Sequence, residues 1–167
     1  MDPVFSWIET TAVSTFIRES ASLWVFPFIL ILHTWGLAFL VGANIAIDVR
    51  ALGVAVAIPF WSLDRYYRVM WAGLWINAIS GVLLLIAYPT KALTNPVFYV
   101  KLLMIAAALL LARRIRLFMQ PGSGSAGPGR TVPASLAIAS LACWAIAIFA
   151  GRFLAYTCTR LMVEYPC

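Results

Sequence analysis

Very few side chains in this 167-residue sequence are of a type that does chemistry. It has one histidine, His33, and three cysteines, Cys143, Cys158 and Cys167, which share no C-x-x-C spacing. It contains no H-E-x-x-H, P-loop or G-x-S-x-G motif, so we do not expect an autonomous enzyme. Protein-only zinc or copper cages and a bis-histidine haem within one chain are excluded, because they need more ligands. His33 is either one axial ligand of a haem or other cofactor, or a partner in a hydrogen bond between helices.

Two cations, Lys101 and Arg152, lie within apolar stretches of the chain. A charged group at bilayer depth is costly, and it marks either a functional site or a satisfied contact. Each of the two either reaches the membrane surface by its long side chain or faces inward to bind an anion such as a haem propionate. Glu19 is the best internal acid to pair with them, and such pairing would make the cluster structural. Trp75 is deep enough in its segment to line a cofactor or merely to pack.

The composition excludes a soluble protein and a disordered one. Apolar residues make up 63% of the chain, charged residues make up 11%, and the mean hydropathy is +0.95. Soluble domains are about 45–50% apolar and about 25% charged, so this chain has too little charge to cover a surface in water. Its net charge of +6 is spread along hydrophobic sequence, which indicates membrane topology and no nucleic-acid partner.

Four segments have the roughly 20 mainly apolar residues that a membrane-spanning helix needs. They cover residues 22–47, 69–88, 97–112 and 133–156 approximately. The sequence therefore predicts an all-α integral membrane protein, with residues 1–167 forming one domain built as a four-helix up-down bundle. Residues 51–61 are too short to span the membrane and contain Pro59, which predicts an interfacial loop or a short helix. Residues 121–129 (PGSGSAGPG) are predicted to be a flexible loop.

The first twenty residues lack the basic start and uninterrupted apolar core of a secretory signal. Phe5, Ile8, Ala12 and Phe16 recur near helical spacing, with polar residues between them. This pattern predicts an amphipathic helix that lies in the membrane surface, and a frayed terminus is the alternative.

Basic residues in short loops predict the orientation of the bundle. The loops after the first and third segments hold seven arginines: Arg50, Arg65, Arg68, Arg113, Arg114, Arg116 and Arg130. The opposite side holds five basic residues: Arg18, Lys91, Lys101, Arg152 and Arg160. We therefore expect both termini to be external, which is periplasmic in a bacterium, and the arginine-rich loops to be cytoplasmic.

This orientation predicts the location of the cysteines and bears on their redox state. Cys158 and Cys167 both fall beyond the fourth segment on the external, oxidising side, where a disulfide between them is an open alternative to two free thiols. Cys143 lies inside the fourth segment and is expected to be a small buried apolar residue.

Other polar residues of the spans have structural interpretations. Asp48 and Arg50 close the first segment, where we expect an interfacial ion pair or a contact with the next loop. Asn77 and Ser80 lie mid-way along the second segment and are expected to form hydrogen bonds across helices. Small residues that suit close helix approach occur at Gly36, Gly42, Gly73 and Gly81.

Several short motifs together resemble an uncharacterised bacterial four-helix membrane family. They are His33-Thr-Trp-Gly36, Asp48-Val-Arg50, Ser80-Gly81, Asn95-Pro96-x-Phe98-x-x-Lys101 and Gly151-Arg152…Ala155-Tyr156, and they cover nearly the whole chain. More distantly, the histidine and lysine motifs are similar to those of copper-resistance D membrane proteins and HemJ-type protoporphyrinogen oxidases, which bind haem b. The chain departs from the HemJ-type pattern at Phe98, where Trp is common, and in having no further histidines.

Three functions are compatible with these features. The first is a subunit of a redox or electron-transfer complex in the bacterial inner membrane, holding haem b through His33 with Lys101 and Arg152 near its propionates. The second is a structural anchor that packs against other membrane subunits and has no cofactor. The third is a small transporter or copper-uptake element, for which the spans supply few soft or acidic ligands.

Overall fold

The computed structural model describes residues 7–8, 10–19, 24–55, 57–59, 62–119 and 132–156, without the side chains of residues 18, 19, 155 and 156. These residues form six helices and no strand. The helices are α1 (Ala12–Glu19), α2 (Val25–Ala51), α3 (Leu63–Ala87), α4 (Pro89–Leu93), α5 (Pro96–Met119) and α6 (Ala134–Tyr156). Helices α2, α3, α5 and α6 are long and apolar enough to cross a bilayer. The prediction of an all-α, multi-pass membrane bundle is confirmed.

The helices begin and end at different residues from the apolar segments of the sequence. Helix α3 begins at Leu63 rather than near residue 69, and α5 continues to Met119 rather than ending near residue 112. Hydropathy marks only where apolar sequence ends, whereas arginine and leucine propagate a helix well beyond it. The extra turns therefore carry five of the arginines assigned to these loops: Arg65, Arg68, Arg113, Arg114 and Arg116.

The connections differ from one end of the bundle to the other. The described part of the α2–α3 connection is a loop with Gly53 at φ 77°, a left-handed conformation that glycine adopts without strain. The α3–α5 connection contains the short helix α4, which the sequence did not predict. Asn95 then caps α5, because its Oδ1 accepts a hydrogen bond from the Val97 backbone N–H at 3.0 Å. Pro96 follows at the first helical position, where its missing N–H costs nothing.

Two glycines bring α2 and α3 into very close contact. A Cβ placed on Gly36 would lie 2.6 Å from the Asn77 backbone nitrogen, and one on Gly73 would lie 2.5 Å from the Leu40 backbone nitrogen. Any other residue at either position would therefore push the two backbones apart. The predicted role in close helix approach is confirmed for Gly36 and Gly73. It is wrong for Gly42, where a Cβ would meet nothing within 4 Å.

The packing divides the bundle into two halves. We call the end where α2 ends, α3 begins, α5 ends and α6 begins the arginine-rich half, and the opposite end the histidine half. The larger core lies mainly in the arginine-rich half and draws on all four spanning helices, including Leu40, Ile47, Tyr67, Ile115 and Trp144. The smaller core, in the histidine half, joins Ile17 of α1 to Ile29 and Ala87.

Helix α1 lies against the histidine half of the α2–α3 pair. Ser14 and Ile17 are buried there, while Val13 and Phe16 are exposed. A helix is present here, with Ser14 and Ile17 on the bundle and Phe16 on the surface, and its position in the membrane surface stays a prediction. Phe5 and the predicted loop at residues 121–129 lie outside the described residues.

Candidate functional site

His33 is held against α3 by three contacts. Its ring nitrogen Nδ1 lies 3.1 Å from Ser80 Oγ, and Asn77 Nδ2 donates a hydrogen bond to the His33 carbonyl oxygen at 2.8 Å. A Cβ on Gly81 would lie only 3.2 Å from the ring atom Cε1. The expectation that Asn77 and Ser80 bond across helices is confirmed, and the absence of a side chain at Gly81 makes room for the imidazole.

The hydrogen bonds of Ser80 determine which nitrogen of His33 has a free lone pair. The Ser80 hydroxyl has one hydrogen, and its shortest contact is the Ile76 carbonyl oxygen at 2.6 Å. With that hydrogen donated to Ile76, Oγ is an acceptor for an Nδ1–H donor on His33. Nε2 then carries the lone pair, and no hydrogen bond from a described residue occupies it. This is the arrangement in which a histidine can ligate a metal.

Lys101 lies near the start of α5, in the histidine half, and its side chain is half-buried. A Cβ on Gly151 of α6 would lie 3.6 Å from Lys101 Cε and 3.7 Å from Nζ, so the lysine stem runs across this glycine. Within the described ranges no carboxylate pairs with Lys101, since the ion pair found there joins Arg116 to Asp64. The histidine half thus contains a cation without an anionic partner among those residues.

The other predicted site residues lie elsewhere. Trp75 is 64% exposed, and Arg152 is exposed as well, so both occupy the outer surface of the bundle and do not join His33. The exposure of Arg152 agrees with a side chain that reaches the membrane surface. The Glu19 side chain, Cys158 and Cys167 are outside the described residues, so their predicted pairings stay predictions. Cys143 is a free thiol packed, partly buried, against the larger core, close to what its position predicted.

A second polar cluster, in the arginine-rich half, is formed by Asn44, Asp48 and Ser140. All three side chains are completely buried. Asn44 Nδ2 donates to Asp48 Oδ2 at 2.7 Å and to Ser140 Oγ at 3.0 Å, which joins α2 to α6. The expectation of an interfacial Asp48 was wrong, because α2 continues to Ala51 and carries Asp48 on its inner face.

The sequence contained a signal for this cluster. Asn44 and Asp48 are four residues apart, and they share a helical face with the buried residues Leu40 and Ile47. A carboxyl group that continues an apolar stripe at helical spacing points into the bundle, whatever its distance from the end of the span. Ser140 had no comparable signal, since a serine in a span is common on either face.

Two charged side chains of the arginine-rich half, Arg116 and Asp64, are paired with each other. Arg116 NH2 lies 3.2 Å from Asp64 Oδ1, and the guanidinium carbon lies 4.7 Å from the centre of the Tyr67 ring. The Tyr67 hydroxyl donates to the Ala112 carbonyl oxygen at 3.2 Å, which ties α3 to α5. These contacts join α3 to α5 in the arginine-rich half. They also show that Arg116 contacts Asp64 and Tyr67 rather than Asp48.

The donor set limits which cofactors fit. The described part of the chain has no group of three or more His, Cys, Asp or Glu side chains that can surround a metal ion. A haem, if bound, would have His33 Nε2 as its ligand from this part of the chain, and Lys101 would be the cation for an acidic substituent. Comparison with protein-family models, curated proteins and solved structures finds no match for this chain.

Proposed function

We propose that this chain is a membrane subunit of an electron-transfer assembly and that His33 holds a haem b as an axial ligand. The observation that carries the proposal is the hydrogen bond between His33 Nδ1 and Ser80, which leaves Nε2 available in the half of the bundle where Lys101 has no anionic partner among the described residues. The resemblance of the sequence motifs to haem-binding membrane proteins gives additional support.

The residues around His33 suit this role. A metal-bound histidine usually donates its other N–H to an oxygen atom, which fixes the orientation of the ring, and Ser80 Oγ is placed to accept that hydrogen. The Lys101 ammonium group needs an anion in a region of low dielectric, and a propionate would supply one. When bound, the haem supplies one-electron chemistry. The chain itself supplies the axial nitrogen, the orientation of the ring and the compensating charge.

A partner chain follows from the number of ligands. His33 is the one histidine of the sequence, so this chain gives a haem one imidazole. Either His33 would be the one protein ligand of the haem, or another subunit would supply a second ligand. Large apolar side chains exposed on the spans, such as Phe28, Trp35 and Phe149, can face lipid or partner helices. We therefore include other membrane subunits in the proposal.

Absorption spectroscopy of the chain purified from its native membrane tests the haem. We expect a Soret band and a pyridine haemochrome in the wild type, and loss of both in His33→Ala. Thr34→Ala is the matched control, because the Thr34 side chain is exposed and its hydroxyl donates to the Leu30 carbonyl oxygen of its own helix. A wild-type protein without either signal would overturn the proposal, provided that its partners co-purify.

Lys101→Met separates the cofactor role from an anchoring role. Loss of the haem signal with an intact fold supports an ion pair between Lys101 and a propionate. Loss of partner subunits, with no chromophore in the wild type either, identifies a structural anchor. Arg152→Met is the control, because Arg152 is exposed and its replacement should change neither the haem signal nor the recovery of partner subunits.

We further propose that the chain lies in the bacterial inner membrane with its arginine-rich half toward the cytoplasm and both termini in the periplasm. The support is the excess of arginines at that end, including Arg113, Arg114 and Arg116. A single cysteine at position 123, in a chain whose three native cysteines are replaced by serine, should react only with reagents that enter the cytoplasm. Labelling of intact cells by an impermeant reagent would reverse the orientation.

A further inference from the structure

The buried cluster in the arginine-rich half has an unbalanced set of hydrogen-bonding atoms. Asn44 has two amide hydrogens, and both are used, one on Asp48 Oδ2 and one on Ser140 Oγ. The other oxygens of the pair, Asn44 Oδ1 and Asp48 Oδ1, are fully buried and have no hydrogen-bond partner. Both are acceptors. The Ser140 hydroxyl hydrogen reaches neither of them, so both oxygens lack a donor, and a buried acceptor without a donor is strongly unfavourable.

The cluster also lacks a positive charge. Asp48 has no ion pair among the described residues, and its side chain is completely buried. An isolated carboxylate in such a place is costly unless it becomes neutral or gains a cation. The charge and hydrogen-bond deficits are both removed by one added proton.

The titratable and polar groups of the arginine-rich half come from all four spanning helices. Helix α2 contributes Asn44 and, beyond Asp48, Arg50. Helix α3 contributes Tyr67, whose hydroxyl donates its hydrogen to the Ala112 carbonyl oxygen of α5. Helix α5 also carries Arg116, which is bound to Asp64 and stacked on Tyr67. Helix α6 contributes Ser140 and the buried Trp144, whose Nε1 donor has no partner. None of these groups donates a hydrogen to Asp48 Oδ1.

We propose that Asn44, Asp48 and Ser140 form a proton-binding site, in which Asp48 Oδ1 carries a proton and donates it to Asn44 Oδ1. The proton adds to the carboxylate from water and leaves a neutral carboxylic acid. With Asn44 Nδ2 already donating to Asp48 Oδ2, the amide and the acid then form two hydrogen bonds in opposite directions. Ser140 fixes the amide from α6 and so determines which way it faces.

The position of the site indicates where its proton comes from. Asp48 is three residues before Ala51, the last residue of α2, which is about 5 Å at 1.5 Å per residue. Exchange with water therefore needs an opening of only the last helical turn at the arginine-rich end. The site is separate from His33, so the inference does not depend on the haem proposal.

Infrared spectroscopy of the full chain in phosphatidylcholine vesicles tests the inference. At neutral pH we expect the carbonyl stretch of a protonated carboxylic acid, above the amide band, which shifts after exchange into heavy water and disappears in Asp48→Asn. Asp64→Asn is the matched control and should leave the band unchanged, because Asp64 is 77% exposed and paired with Arg116. Asn44→Leu should move the band to higher frequency, since it removes the hydrogen bond to the acid.

A second measurement needs no substitution. The chain has three aspartates, Asp2, Asp48 and Asp64, so isotope-labelled aspartate should shift the acid band of the wild-type protein. No aspartate band of a protonated acid at neutral pH would overturn the proposal. An aspartate band that appears only after sodium and potassium are removed would also overturn it, because a metal cation would then occupy the site.

Discussion

In the arginine-rich half, Asn44, Asp48 and Ser140 are completely buried and bonded to one another, whereas in the histidine half His33 and Lys101 are only half-buried. The difference follows from the packing of α5 and α6. Toward the arginine-rich end, all four spanning helices contribute to one core, while the smaller core at the other end is formed, among the described residues, by α1, α2 and α3. A polar group in the arginine-rich half must find its hydrogen-bond partners within the bundle. A polar group in the histidine half is partly exposed, so it can also bind a ligand.

The two halves share the close contact of α2 with α3, and breaking it should have the largest effect. Gly36→Ala and Gly73→Ala each place a Cβ against backbone atoms that cannot move aside. We expect each to lower the free energy of unfolding by about 3 kcal/mol, at the upper end of overpacking costs. Gly42→Ala is the control and should be neutral or slightly stabilising, because its surroundings are open and alanine favours a helix.

Thermal unfolding in detergent measures this effect. With Cys158 and Cys167 replaced by serine, the reaction of a fluorescent maleimide with Cys143 reports exposure of the larger core. Equal midpoints for the Gly36, Gly73 and Gly42 variants would show that α2 and α3 are not in such close contact.

Removing the polar junction of the arginine-rich half should have the next largest effect. Asn44→Ala removes the amide that bonds both Asp48 and Ser140, and it leaves their buried atoms unsatisfied. We expect a loss of about 2–3 kcal/mol, because an unpaired buried group retains its full desolvation cost. Ser140→Ala removes only one of the two bonds and should cost about 1 kcal/mol. The same thiol assay compares the two, and a larger effect of Ser140→Ala would contradict this description of the cluster.

The equivalent change in the histidine half should be milder. Ser80→Ala removes the partner of His33 Nδ1, but the imidazole is only half-buried and can turn toward other partners. We expect a loss of about 0.5–1 kcal/mol, which is the net value of an ordinary hydrogen bond. Under the haem proposal this variant should also bind less haem per protein. A loss of unfolding free energy as large as that of Asn44→Ala would show that polar groups in the two halves are equally dependent on partners within the bundle.

The smallest effect is expected at the surface of the arginine-rich half. Asp64→Asn breaks the ion pair with Arg116, in which both side chains are substantially exposed. Such pairs contribute little, so we expect a change below about 0.5 kcal/mol that disappears at high salt. Arg116→Met should cost somewhat more, because it also removes the guanidinium from the Tyr67 ring. Equal unfolding midpoints for the two variants would show that the ring contact contributes nothing.

The sequence alone determined the class of the protein and much of its architecture. Apolar segments of spanning length, separated by charged or glycine-rich sequence, permit one solution in a bilayer, because every backbone hydrogen bond must be made inside a helix. It also singled out His33 and Lys101, since a single histidine and a lysine at depth are conspicuous in so apolar a chain.

Only the tertiary structure decided which polar groups meet. Which face of α6 packs on α2 depends on side-chain fit between helices far apart in sequence, so the bond from Asn44 to Ser140 had no local signal. For the same reason Trp75 and Arg152, suitable in type and depth, proved to lie on the outer surface. Composition determines that a helix enters the membrane, but its rotation about its own axis is determined by the close contact at Gly36 and Gly73 and by the packing around it.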